Sequence, residues 1–153
     1  MPRRIATADR VDRDALLDFI RPRHRATLVT HKRNGSPQLS LVTCGLGSDG
    51  RVLISTYPQR AKVANIRRNA SVSLLIQSDD WDDAYVQLDG EAEVIDLPES
   101  VEPLVDYFRN ISGEHPDWAE YREAMRTQGK SVIAVTITDW GPVATGGFPP
   151  EHA

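Results

Sequence analysis

Between Val86 and Val94 apolar and polar residues alternate without a break: Val86, Leu88, Gly90, Ala92 and Val94 on one face, Gln87, Asp89, Glu91 and Glu93 on the other. A period of two marks a strand with one dry and one wet face. The central glycine falls on the apolar face and leaves the alternation intact, so the segment predicts one long strand bent at Gly90 and not a hairpin. Strands of this kind bend around barrels.

The rest of the chain supplies the partners such a strand needs. Ala26 to His31 and Pro37 to Cys44 read as strands joined at Asn34-Gly35, a tight turn that tolerates positive φ. On the second of these, Leu39, Leu41 and Thr43 share one face, and Gln38, Ser40, Val42 and Cys44 the other. Ser48-Asp49-Gly50 turns the chain into Arg51 to Thr56, and Ser71 to Gln77 and the nearly continuous apolar run Ser131 to Thr138 complete six strands. Helices are predicted before and between them: one capped by Thr7 or Asp9 and ended by Pro22, a short one over Arg60 to Arg68, one capped by Ser100, and one with Pro116 early in it, closed by Gln128-Gly129. The tail 141–153, rich in Gly and Pro, reads as irregular. The expected class is mainly β (α+β): an antiparallel barrel with peripheral helices in one domain over residues 1–153.

The 153 residues carry a net charge of −4, which argues against a general nucleic-acid binder. The total conceals a split. Residues 19–78 hold ten bases and the single acid Asp49, whereas residues 79–153 hold seventeen acids and four bases. No apolar run approaches a membrane span, and the opening Met1-Pro2-Arg3-Arg4-Ile5 leads into no apolar stretch of the signal-peptide kind. With the single cysteine, Cys44, these features point to the cytoplasm.

Several chemistries lack their residues. The four histidines show no metal-ligand spacing, so no metal is expected, and there is no nucleophile elbow, P-loop or dinucleotide fingerprint. Cys44 reads as a small apolar filler, and Asp79-Asp80-Trp81-Asp82-Asp83 as a solvated connector. No side chain stands out as a catalytic group, and a reactive group would therefore come from a cofactor.

What is present is an acid-free stretch from Arg51 to Ser78 with five bases. Within it a strand ends at Ser55-Thr56 and a helix begins near Arg60 and Lys62. Two hydroxyls, two cations and a helix N-terminus are the ingredients of an anion site, most naturally for phosphate. A solvated basic helix balancing the acidic half of the chain accounts for the same residues equally well.

The segment Ile54-Ser55-Thr56-Tyr57-Pro58-Gln59-Arg60-Ala61-Lys62-Val63-Ala64-Asn65-Ile66 resembles the phosphate-binding stretch of the pyridoxamine 5′-phosphate oxidase-like split-barrel flavoproteins. Within that superfamily it is most similar to the actinobacterial deazaflavin-dependent oxidoreductases of the B group. Asn34 to Ser40, Tyr85 to Ala92 and Tyr107 to Trp118 add matches in the right order, so the resemblance spans about residues 15–140. It implies an FMN-binding type of six-stranded split barrel and a homodimer with coenzyme F420 at its interface. Ser55, Thr56, Arg60 and Lys62 would then hold the phosphate, Gln38, Leu39 and Ser40 would flank the ring, and Trp81 and Tyr85 would reach it from the facing subunit. The implied activity is transfer of hydride from the reduced coenzyme to a small conjugated acceptor. An FMN-dependent oxidoreductase of the same fold and a non-catalytic F420 carrier are the alternatives. One departure tells against vitamin B6 oxidation: the chain ends Trp140-Gly141-Pro142-Val143 where the B6 oxidases carry an Arg-Leu-x-Pro type segment, and Tyr85 stands where they have Gln.

Overall fold

A computed structural model describes residues 4–152; the opening Met1 to Arg3 and the final Ala153 lie outside the described residues. In chain order the elements are β1 (Thr7–Asp9), α1 (Arg13–Ile20), β2 (Arg25–His31), β3 (Pro37–Leu46), β4 (Val52–Thr56), α2 (Ala61–Arg68), β5 (Ser71–Gln77), β6 (Val86–Ile95), α3 (Val101–Ser112), α4 (Trp118–Gln128), β7 (Ser131–Trp140) and β8 (Val143–Thr145). Strands β2 to β7 close into an antiparallel barrel in the order β2-β3-β4-β7-β6-β5. This is the expected six-stranded barrel with peripheral helices.

The bend at Gly90 has a steric cause. A Cβ placed there would lie 2.4 Å from the carbonyl oxygen of Thr136 and 2.7 Å from Val135 Cγ1, so only glycine lets β7 come this close. The β6–β7 register shifts at the same point, from Asp89 opposite Asp139 to Gly90 opposite Ile137, which leaves Thr138 as the extra residue of a bulge.

Two apolar layers hold the barrel. Its interior is filled by residues such as Leu28, Ile54, Leu74, Leu88 and Ile133, with Leu16 and Ile20 of α1 and Val63 and Ile66 of α2 closing over it. A second layer packs Leu53, Val132 and Ala134 under Leu104 and Val105 of α3 and Tyr121 and Met125 of α4. Strand β7 is dry on both faces over Ser131 to Val135, which explains its apolar run; beyond it Thr136, Thr138 and Asp139 are exposed. On β3 the alternation is as expected, but the inward face is the one bearing Gln38, Ser40, Val42 and Cys44. Leu39 and Leu41 point outward and are 63% and 86% exposed.

Three local expectations are corrected and a fourth is refined. Helix α1 starts later, with the Asp12 carboxylate accepting the Ala15 N–H at 2.9 Å. Thr7–Asp9 instead pairs with Val143–Thr145, so the tail expected to be irregular contributes a strand; the Thr7 and Thr145 hydroxyls bond each other at 2.8 Å. Ser100 holds the N-cap position of α3, as expected, but not by its side chain: its hydroxyl donates to Lys130 O at 2.8 Å. Pro116 precedes α4, whose cap is Asp117, accepting from Glu120 N–H at 3.1 Å.

Candidate functional site: an open strand edge and a cationic junction

Strands β3 and β4 pair over only three positions, Cys44 with Ile54, Gly45 with Leu53 and Leu46 with Val52, although β3 reaches back to Pro37 and β4 on to Thr56. The barrel is therefore split along the first half of β3. Cys44 N–H donates to His24 O, on the β2 side. Alternation along the strand then directs the N–H and C=O groups of Thr43, Leu41 and Leu39 to the open side.

The far end of the split is the β4–α2 junction. Val52 and Ile54 belong to the barrel interior and Leu53 to the layer under the helices, so along β4 Thr56 projects inward and Ser55 outward. The structure thus does not turn the two hydroxyls to one face. Thr56 is 4% exposed, and its Oγ1 is buried with no hydrogen-bond partner. A buried hydroxyl left unbonded costs roughly 1–3 kcal/mol, and an arriving acceptor would recover that. Helix α2 begins with Arg60 at its N-cap position and no side-chain cap; the Val63 amide already donates to Arg60 O at 3.1 Å, which leaves those of Ala61 and Lys62 for an anion. Burial, and then the neighbouring Arg60 charge, hold the Lys62 ammonium below the usual lysine range. Among the described residues, neither Arg60 nor Lys62 forms an ion pair. A third cation completes the group: Lys130 Nζ lies 4.2 Å from the centroid of the Tyr57 ring, which the Arg60 guanidinium approaches to 5.9 Å.

A buried polar pin ties this junction to β3. Asn65, one turn beyond Lys62 on α2, donates from Nδ2 to Thr30 Oγ1 at 3.1 Å and to Gln38 Oε1 at 2.6 Å. Its Oδ1 accepts from Arg68. Gln38 and Ser40 therefore face the interior beside α2, while Leu39 presents only its backbone to the open edge and its side chain to the outer surface.

Trp81 and Tyr85 lie elsewhere. They line a cavity of about 370 Å³ with Arg4, Leu75, Gln77 and Gly147. The loop that carries them follows Gln77, which pairs with Arg25 at the start of β2; α2 sits at the other barrel end, where Gln38 pairs with Thr30. Within one chain, Trp81 and Tyr85 are thus at the opposite end of the barrel from Thr56, Arg60 and Lys62. A groove of about 550 Å³ beside His24, Arg25, Leu41 and Asp79 adjoins the Trp81 cavity at Gln77.

Sequence reasoning missed Lys130, Asn65 and Tyr107. The last directs its hydroxyl to Thr43 O at 3.4 Å. A lone Lys before an apolar strand, or an Asn within a basic helix, carries no local signal; only the pairing of Thr56 with Ser131 brings Lys130 to the junction.

The six-stranded antiparallel barrel, parted along β3 and flanked by helices, defines a split-barrel protein. Residues 13–144 match the family model described as pyridoxamine 5′-phosphate oxidase, and the chain belongs to that family. Solved structures agree in fold. A conserved hypothetical protein from Mycobacterium tuberculosis, Rv2991, aligns with TM-score 0.74 at 20% identity, over 94% of this chain and 89% of that one. An F420 reductase aligns with TM-score 0.60 at 17% identity, over 80% and 93%. A heme-binding protein from Mycobacterium smegmatis aligns with TM-score 0.63 at 21% identity, over 86% and 54%. No helix among the described residues is long and apolar enough to cross a membrane.

Proposed function

We propose that this protein is an oxidoreductase that binds deazaflavin coenzyme F420 and uses its reduced form to reduce a small conjugated acceptor. The observation that carries the reading is the unbonded, buried Thr56 hydroxyl at a strand-to-helix junction that also bears Arg60, Lys62 and Lys130, none of which forms an ion pair among the described residues. That donor set fits a phosphate and the polyanionic tail beyond it. Thr56, Arg60 and Lys62, with Lys130, hold the phosphate, and Ser55 contributes its backbone. The outward backbone groups of Leu39, with Gln38 and Ser40 behind them, align the polar edge of the ring. When bound, the reduced coenzyme supplies hydride from C5; the chain's part is to orient the ring and exclude water.

The site is completed by a second copy. Leu39 and Leu41 are exposed on a sheet face whose neighbours in register are Val29, Thr27 and Leu75, an apolar surface suited to a partner. In a homodimer formed on this face, Trp81 and Tyr85 of one protomer reach the open edge of the other. Residues 1–153 act as one cofactor-binding domain in the cytoplasm. There the single thiol, Cys44, is kept inert by burial, which pushes it up to about 12.

Titration of the cofactor-free protein with F420 and with FMN, followed by fluorescence, tests the assignment. Tighter binding of F420 is the expected result. Preference for FMN would make the protein a flavin enzyme of the same fold, and binding of neither would overturn the reading. Turnover of enone or quinone acceptors with reduced F420 then separates an enzyme from a carrier.

A further inference from the structure

Tyr107 stands where the β3–β4 ladder stops. In register, the pair after Cys44 and Ile54 is Thr43 opposite Ser55. Both residues direct their backbone groups toward each other there, so a continued ladder would join Ser55 N–H to Thr43 C=O directly. The Tyr107 hydroxyl takes the Thr43 carbonyl instead, donating to it at 3.4 Å. Helix α3 is bolted to β3 so that the phenol can reach this point. Asp106 accepts from the Ser48 N–H and hydroxyl at 2.9 and 2.8 Å, and Asn110 Oδ1 accepts from Leu46 N–H at 2.8 Å. Gly45 permits the approach: a Cβ there would stand 3.2 Å from Tyr107 O and 3.4 Å from its ring. Burial, foremost, raises the Tyr107 phenol above its ordinary value, so it remains a neutral donor and adds no negative charge near the cationic junction.

We propose that Tyr107 is a positioning residue that keeps the barrel split: it stands in the place of the Ser55–Thr43 backbone bond, its hydroxyl taking the Thr43 carbonyl, and so leaves the backbone groups of Leu41 and Leu39 free for the polar edge of a flat heterocyclic ligand. The ligand half of this inference rests on the proposed function; the wedge does not. Residue-resolved amide exchange on ligand-free protein tests the wedge, and fluorescence titration with F420 and FMN tests its consequence. Tyr107→Ala lets the strands close, so the Ser55 N–H gains the Thr43 carbonyl and its exchange should slow by about tenfold, the gain of one hydrogen bond, while affinity for the better ligand falls about tenfold. Tyr107→Phe keeps the ring between the strands and should leave exchange at Ser55 as in the parent. Parental exchange at Ser55 in a folded Ala variant overturns the inference, as does parental affinity in that variant. If the parent binds neither cofactor, the proposed function fails and Ser55 exchange in the Ala variant alone decides for or against the wedge.

Discussion

Thr56 lets binding and stability be pulled apart at a single atom. Its hydroxyl is buried without a partner, so Thr56→Val, which swaps it for a methyl group of similar size, should stabilise the ligand-free protein by about 1 kcal/mol. The same change should weaken cofactor binding by roughly tenfold or more, because a bond to a charged acceptor is lost. Thermal unfolding with and without ligand measures both, and a drop in ligand-free stability would show that the hydroxyl is bonded after all. Arg60 and Lys62 were legible from sequence because the clustering of cations without acids is a local property. Two other residues were not. Ser55 and Thr56 look like a pair of phosphate hydroxyls in one dimension, but adjacent strand residues project to opposite faces, and burial assigns Thr56 alone to the interior. Lys130 reaches the site only through the strand pairing of Thr56 with Ser131, which no short-range pattern encodes.

Among the elements, the β6–β7 pair carries the bend that closes the barrel. Gly90→Ala forces a Cβ to within 2.4 Å of a backbone oxygen, which no side-chain rotation relieves. We expect destabilisation of about 3 kcal/mol, the upper end of the usual cost of overpacking, measurable by denaturant unfolding. At the other end of β6, Asp96 accepts from the Ser131 hydroxyl and from Arg67, both at 2.7 Å, and so fastens β6, β7 and α2 together. The Ser131 bond first, and then Arg67, hold the Asp96 carboxyl below the usual carboxylate range. A lowered folded-state value means that the stabilisation is present above the ordinary aspartate pKa and lost as pH falls through the lowered one. Asp96→Asn should accordingly be less stable than the parent at neutral pH, the gap closing in strong acid; a gap independent of pH would assign the loss to packing. Period-two alternation made the six barrel strands readable, Gly90 included. It could not reveal β1 and β8, since three residues are too short to show a period and these strands pair over 138 positions of sequence.

On the scale of the whole molecule, the charge division along the chain resolves into contacts. Bases of the cationic middle segment pair with acids of the anionic end: Arg23 with Asp83, Arg25 with Asp79, Arg51 with Glu93 and Arg67 with Asp96. A basic helix neutralised by the protein's own acidic surface therefore describes Arg67, whereas Arg60 and Lys62 on the same stretch are left for something else. The remaining question is how residues at opposite ends of a barrel could serve one ligand, and two-fold symmetry answers it. In the proposed symmetric dimer each of the two sites would take Thr56, Arg60 and Lys62 from one chain and Trp81 and Tyr85 from the other. Mixing two defective variants tests this directly. Arg60→Ala/Lys62→Ala chains lack the phosphate half, and Trp81→Ala/Tyr85→Ala chains lack the covering half, so either homodimer should bind F420 poorly. After the two are unfolded and refolded together in equal amounts, half of the dimers are mixed, and each of those has one site with both halves intact and one with neither. Binding should return to about a quarter of all sites, counted by stoichiometric titration. If both halves of the site came from the same chain, every site in the mixture would still carry one defect and none would be restored.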